Sequence, residues 1–474
     1  MLSKNAFGLL AMPIILILGG CATVNLNAGF SEISASIEER SAARIYWNNG
    51  TELDKEAADK VQALLTEKLN VDGAVQIALI SNRDLQAIYS ELGVAQADVV
   101  QAGLLNNPIF DAAVRFRTSG GGPANLELST VMNFLDLFYL PLRKRVAAAS
   151  FEEAKIRVTG AVLDFAAQVR SAFYSHQANE QLLELRQTTV QALAASLELA
   201  RRMYEAGNIT DLDLARERAL TESSRLALRL AEVAVRQSRE ELNTLMGLWG
   251  KNTEWQSEER LPDMPAEALG VDGIERVSLE RSVDLASARQ RIVVAGEQLG
   301  YNRSTSLIPE LHLGPLGERD DGSWTVGPTL EFAIPLFDQG QARIGRAASD
   351  LRRAQQEYYA LAVRIRATAR AVRDRMEGSR DRAVYYRDIL LPLQERIVNE
   401  TQLHYNAMQL GPMQLLRARE QQIETGAAYI GTLREYWLAR SDVEQILSGR
   451  LPRLNGLQGS PAAGQMKVAE REGH

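Results

Sequence analysis

Two kinds of hydrophobic spacing alternate along this chain of 474 residues. Between Ile109 and Thr118 the apolar Phe110, Ala112, Val114 and Phe116 alternate with Asp111, Ala113, Arg115 and Arg117. Between Leu126 and Phe134, Leu126, Leu128, Met132 and Phe134 alternate with Glu127, Ser129 and Asn133. A period of two predicts strands with one apolar and one polar face, joined here by the turn Gly120-Gly121-Gly122-Pro123. Further on, Trp324, Val326, Leu330, Phe332 and Ile334 alternate with Thr325, Thr329 and Glu331, after a weaker strand near Glu310 to Leu316. Pro315 and Pro328 interrupt that second pair, since proline removes a ladder hydrogen bond.

The rest of the chain follows a helical period. No proline occurs from Leu142 to Leu261, and Gly207 is the only glycine between Gly160 and Gly247. The interval is filled with strong helix formers. This predicts a helix from about Arg143 to Tyr204, a turn at Glu205 to Ile209 and a second helix from about Asp211 to Met246, capped by Thr210 or Asp211. At 1.5 Å per residue the first would be roughly 90 Å long. Corresponding helices are predicted from about Gln341 to Ala407, with a kink or break at Pro392, and from Gly411 to Leu447. Leu182, Leu185, Leu193, Leu197, Ala200 and Tyr204 recur mostly at three- and four-residue steps, a coiled-coil seam that calls for lateral partners.

These two blocks are one block repeated. Ala78 to Leu85 answers Ser278 to Leu285, placing Asp84 and Asp284 200 positions apart. Pro108 and Pro309, and Tyr204 and Tyr405, are 201 apart, and Gly247 and Gly449 are 202 apart. A drift of two residues over so long a stretch marks a tandem duplication. The resulting divisions are 1–20, a signal peptide; 21–70, an anchored segment with a helix over Ile37 to Leu69; 71–252, the first repeat; 253–270, a linker; 271–451, the second repeat; and 452–474, a flexible tail.

The N-terminus adds an address. Lys4 precedes an apolar run from Ala6 to Leu18, too short to span a bilayer and read as a secretory core. Leu18-Gly19-Gly20-Cys21 resembles the bacterial lipobox, which implies that Cys21 becomes the lipidated first residue; an ordinary signal peptide with an incidental cysteine is the alternative. Cys21 is the sole cysteine, so an internal disulfide and a cysteine metal cluster are excluded. Several acyl chains, at roughly 0.8 kcal/mol per buried methylene, hold a protein firmly to a membrane. No later stretch suits a transmembrane helix, so any second crossing requires a closed barrel. A net charge of -7 without basic clusters gives no pull toward nucleic acid.

Strand entries at Leu104-Leu105-Asn106-Asn107-Pro108 and Ser306-Leu307-Ile308-Pro309, the exit Ile334-Pro335-Leu336-Phe337-Asp338, and the turn Tyr204-Glu205-Ala206-Gly207 before Asp211-Leu212-Asp213-Leu214 together resemble the TolC family of outer-membrane channel-tunnels. The likeness covers roughly residues 70 to 451, in particular its lipid-anchored efflux members. It implies a mainly α fold with a small membrane β part, in which a homotrimer pools four strands per chain into a twelve-stranded barrel continued by a helical tunnel. The partners it implies are outer-membrane lipid, a periplasmic adaptor and an inner-membrane pump, and the location is the bacterial outer membrane, extending into the periplasm. Phe110, Val114, Phe116, Leu128, Trp324 and Phe332 would then face lipid. Tyr204, Gly207, Asp211, Asp213, Tyr405, Gly411, Gln414 and Arg417 would form the periplasmic entrance and adaptor contact. Cation-selective relatives carry acidic residues just after the second turn, where this chain has Gln414 and Arg417, a departure that argues against an acidic constriction there. Asp211 and Asp213 either lend charge to the entrance or simply cap their helix.

Two other readings share these features: the duct of a type I protein secretion system, and a lipid-anchored coiled-coil adaptor that never spans the membrane. The adaptor reading leaves four alternating strands without a purpose. Enzymatic chemistry finds no foothold and no cofactor is called for. The four histidines, His176, His312, His404 and His474, form no His-Glu-x-x-His pair, and the glycines at 120 to 122 do not open a helix as a phosphate loop must. Cys21→Ser is expected to permit folding while weakening membrane retention. Acyl-label incorporation checks this, and labelling unchanged in the variant overturns the anchor.

Overall fold

The computed structural model describes residues 23–453 except 117, 119–122, 259, 266–268, 272, 307 and 309. Cys21, the Gly120 to Gly122 turn, Pro309 and the tail beyond residue 453 lie outside the described residues. The elements in chain order are α1 (Phe30–Ser41), α2 (Glu52–Thr66), α3 (Val71–Ser81), α4 (Arg83–Ala102), β1 (Ile109–Arg115), β2 (Asn125–Asn133), α5 (Asp136–Glu205), α6 (Asp211–Met246), α7 (Ile274–Glu280), α8 (Val283–Thr305), β3 (Leu311–Asp320), β4 (Ser323–Phe332), α9 (Gln341–Tyr385), α10 (Leu391–Asn406) and α11 (Pro412–Leu447). No described helix is long and apolar enough to cross a membrane. The chain divides into two compact units. One comprises residues up to Ile33, Ile88–Val158 and Ala286–Tyr359; the other comprises Ser34–Ala87, Thr159–Leu285 and Ala360 onward.

The first unit holds the sheet, antiparallel in the order β1-β2-β3-β4. Its entry is fixed by side chains: Asn106 donates to Asp136 at 2.6 Å, and Asn133 Oδ1 accepts from the backbone N–H groups of Leu135 and Leu311, each at 3.2 Å. These bonds explain why α5 starts at Asp136, seven residues before the predicted Arg143, and carries Pro141 inside it. A proline that early removes only one intrahelical bond. The weaker third strand is full length, with 10 residues like β4. Pro315 stands opposite Pro328. Neither has an N–H, so the pair occupies a site where the β3–β4 ladder needs no bond, and the β2–β3 register skips Thr130 and Val131 across from Pro315 and Gly314.

The second unit contains the large core. Tyr174, Met376, Leu433, Tyr436, Trp437 and Val443 are buried together, with Tyr174 and Trp437 ring centroids 5.0 Å apart. The linker takes part in this packing. Trp255, Leu261 and Met264 are buried, the Trp437 indole donates to the Pro262 carbonyl at 2.9 Å, and Leu69 and Ser257 form a parallel bridge. Pro392 has the predicted effect: α9 ends at Tyr385, a π turn spans Tyr386–Leu390, and α10 follows, because proline cannot donate to the carbonyl four residues back. The expected helix over Ile37 to Leu69 is instead two helices separated at residues 42–51, where Ala42 and Gly50 take left-handed backbone angles.

Duplication is visible atom by atom in this unit. Asn82 caps the N–H of Leu85 at 2.9 Å, and Ser282 caps that of Leu285 at 3.0 Å. Gly247, at φ 65°, packs on the carbonyl of Ser81, while Gly449, at φ 102°, packs on that of Arg281. The copies diverge at their acids: Asp84 is exposed, whereas Asp284 holds the Arg450 guanidinium and the N–H of Leu451, and Arg450 also bonds Asp164 at 2.6 Å. A Cβ on residue 449 would stand 2.1 Å from the Arg281 oxygen. Gly449→Ala is therefore expected to destabilise the protein by roughly 2–3 kcal/mol, read as a lower thermal midpoint by circular dichroism.

Candidate functional site

Two surfaces carry the predicted site residues. On the sheet, directly opposed residues share a face, and the register sorts the side chains cleanly. Phe110, Ala112 and Val114 of β1 meet Thr130, Leu128 and Leu126 of β2. Leu128 and Met132 meet Gly317 and Leu313 of β3, and Leu311, Leu313, Gly317 and Arg319 meet Phe332, Leu330, Val326 and Trp324 of β4. The result is one continuous apolar face, ending in Arg319 beside Trp324. It is not packed into a core: Phe110 is 66% exposed and Val326 77%. Phe116, one residue past β1, is exposed as well. The other face is mostly polar, presenting Asp111, Arg115, Glu127, Ser129, His312, Glu318, Thr325 and Glu331 beside the apolar Ile109, Val131 and Leu316, with Arg115 bonded to Glu127 at 2.6 Å. Among the described residues, β1 and β4 each pair on one side only, so the sheet ends in two open edges.

The second surface lies at the two helical turns. After α5 the N–H of Asn208 reaches the Met203 carbonyl at 2.8 Å, and after α10 the N–H of Gln409 reaches that of His404 at 2.9 Å, again 201 residues on. Gly207 takes the left-handed C-cap at φ 75°, and its counterpart is Met408, at φ 60° and 95% exposed, not Gly411. Gly411 instead precedes α11 as an N-cap without a side chain, where α6 has a full capping box: Thr210 accepts from the Asp213 N–H at 3.2 Å and donates its own N–H to Asp213 at 3.3 Å. Asp213 is thus engaged in capping.

Tyr405 and Asp213 come together in a pocket of about 280 Å³ between α5, α6, α10 and α11. Tyr204, Asp211, Gln414 and Arg417 are exposed and do not line it. The pocket's most unusual wall residue is one the sequence reading overlooked: Glu217, 1% exposed, with neither carboxylate oxygen hydrogen-bonded. Burial pushes its carboxyl above the usual range, against the opposing pull of Ser196 and Arg419. A signal was present. Glu217, Thr221, Ser224, Ala231, Ser238 and Leu242 repeat at steps of three, four and seven, and all are buried. The seam is mostly polar, so a search for apolar stripes passes over it.

Residues 74–248 match the family described as outer membrane efflux protein. The chain is 23% identical over 386 residues to the cobalt-zinc-cadmium resistance protein CzcC of Cupriavidus metallidurans, covering 80% of this chain and 90% of the relative. It is 25% identical over 342 residues to the pyoverdine export outer membrane protein OpmQ of Pseudomonas putida, covering 63% and 69%. The outer membrane protein VceC of Vibrio cholerae has the same fold, with a TM-score of 0.65 at 15% identity over 80% of this chain and 96% of that one.

A non-glycine residue in the left-handed region costs about 1–2 kcal/mol. Met408→Gly is expected to stabilise the second turn by about 1 kcal/mol, seen as slower amide hydrogen exchange around His404 to Leu410, and Gly207→Met to do the reverse at the first.

Proposed function

We propose that the chain is a member of the outer membrane efflux protein family, which residues 74–248 match, and that it serves as an outer-membrane exit channel. Three chains pool their four strands into a twelve-stranded barrel whose apolar face, with Phe110, Val114, Leu128, Trp324 and Phe332, meets outer-membrane lipid. Polar strand faces and helix surfaces line a water-filled path that continues across the periplasm. Cys21 anchors each chain to the membrane by its acyl groups. The turns around Gly207 and Met408 form the periplasmic end, where an adaptor couples the duct to an inner-membrane pump. That pump supplies the energy and selects the cargo, so the chain itself performs no catalysis and needs no cofactor.

One observation carries this reading: a single sheet combines an exposed, continuous apolar face with two unpaired edges. In water the apolar face favours aggregation, and in lipid each orphaned N–H and C=O at an edge costs several kcal/mol. Closure with copies of the same sheet removes both penalties at once. Four strands enclose no usable lumen, whereas twelve enclose a wide one. The coiled-coil adaptor reading explains the helices but leaves the apolar face bare.

Planar-bilayer recording of the purified trimer tests the reading, with discrete conductance steps expected and their absence counting against it. Leu128→Lys places a charge on the lipid face at an expected penalty of about 2–4 kcal/mol, so trimers resistant to detergent should be lost. Ser129→Lys, one residue along and on the wet face, should leave trimers intact and change single-channel conductance. Equal assembly of the two variants would contradict the assignment of faces.

A further inference from the structure

The pocket at the turns has a chemistry that conduction does not require. Its walls mix apolar side chains, Leu199, Met203, Ile209, Met413 and Leu416 among them, with the polar Ser196, Gln402 and Tyr405, and they come from both copies of the repeat. Glu217 lines this space, nearly fully buried, with no well-formed hydrogen bond to either carboxylate oxygen and with the Ser196 hydroxyl and the Arg419 charge as its stabilising neighbours. Asp213 closes the capping box of α6, while Arg419 donates to Gln402 at 3.0 Å and lends its charge to Glu217. One cation against two acids leaves a negative charge in the pocket unbalanced, and a buried carboxylate is costly until its charge is met.

We propose that this pocket is a binding site for a compact, singly charged apolar amine, an alkylammonium whose head group pairs with Glu217 and whose carbon chain fills the space between the two hairpins. The volume of about 280 Å³ suits a short chain, near the lower end for small-molecule sites. Asp213 and Glu217 against Arg419 leave one net negative formal charge around the pocket, which a monovalent cation neutralises. Occupancy would tie copy one to copy two across α5, α6, α10 and α11. The site is built from one chain; only its location at the duct entrance rests on the channel reading.

The pH dependence has a defined sign. Facing Glu217 are Asp213 on its own helix, Arg419 on α11 and the Tyr405 hydroxyl on α10, while α5 contributes Ser196 and no charged wall residue. An ammonium binds the ionised carboxylate, so affinity rises as pH climbs through the carboxyl's raised range and levels off above it.

The test is calorimetric titration of the full-length trimer in lipid nanodiscs with n-hexylammonium, subtracting uptake by empty discs. Expected are saturable binding at one site per chain, at least tenfold weaker binding of uncharged n-hexanol, and tightening as the pH is raised from the acid side of the ordinary carboxylate range. Glu217→Gln, which keeps shape and removes charge, should weaken hexylammonium binding at least tenfold and flatten its pH profile. Should that variant fail to assemble, Ala195→Leu fills the pocket and should abolish binding with Glu217 retained. Equal binding by wild type and Glu217→Gln, equal binding of hexanol, or uptake no greater than that of empty discs overturns the proposal. Conductance recorded on the same preparation keeps the two readings apart: a conducting trimer that binds no amine loses the site alone, and an amine-binding trimer that does not conduct loses the channel alone.

Discussion

The rest of the structure depends on a constraint at the sheet: an apolar face and two open edges cannot both be satisfied within one chain. Burial of an apolar face ordinarily happens against a helix layer or a second sheet. Here the strands keep Phe110, Val326 and Phe332 exposed, and the face behind them carries Asp111, Arg115, Glu127, His312 and Glu331 among a few apolar residues. Faces of such different polarity suit the wall of a closed barrel set between lipid and water. Strand length agrees, because β3 and β4 at 10 residues each are the length of a tilted membrane strand.

Duplication supplies two such hairpins per chain and two helical hairpins with them. The duplicated contacts preserved most closely are those made by backbone: the Asn82 and Ser282 caps, the Gly247 and Gly449 approaches to a carbonyl, and the paired C-terminal turns of α5 and α10. Side-chain detail has drifted. One turn keeps glycine in the left-handed region and the other strains a methionine there; one α-helix has a capping box and its counterpart begins Gly411-Pro412. A backbone position tolerates few solutions, whereas an exposed side chain tolerates many, so the repeats remain alike where the main chain is close-packed and differ where solvent is near.

Much of this was legible from the residues. Period-two alternation located all four strands within a few positions, the scarcity of proline and glycine located the long helices, and Pro392 marked the π turn. What the residues left unread has a cause. The start of α5 at Asp136 depends on Asn106, 30 positions away, as well as on the nearby Asn133, and the packing of the linker depends on Trp437, whose indole meets the Pro262 carbonyl from 175 positions away. The second turn lies just before Gly411 as the residues indicated, but which residue takes the left-handed cap there was not legible: the repeat register puts Met408 in the place of Gly207.

By itself the sequence determined the repeat, the element types and the two-faced character of the strands, because those follow from local periodicity and from what each residue permits its own backbone. It also determined that no described helix suits a bilayer. Only the tertiary structure decided which strand edges stay open, that the linker is packed, and that a glutamate on an unremarkable stretch of helix is buried. Those are consequences of which distant segments meet, and a carboxylate's surroundings are set by helices some 200 residues away.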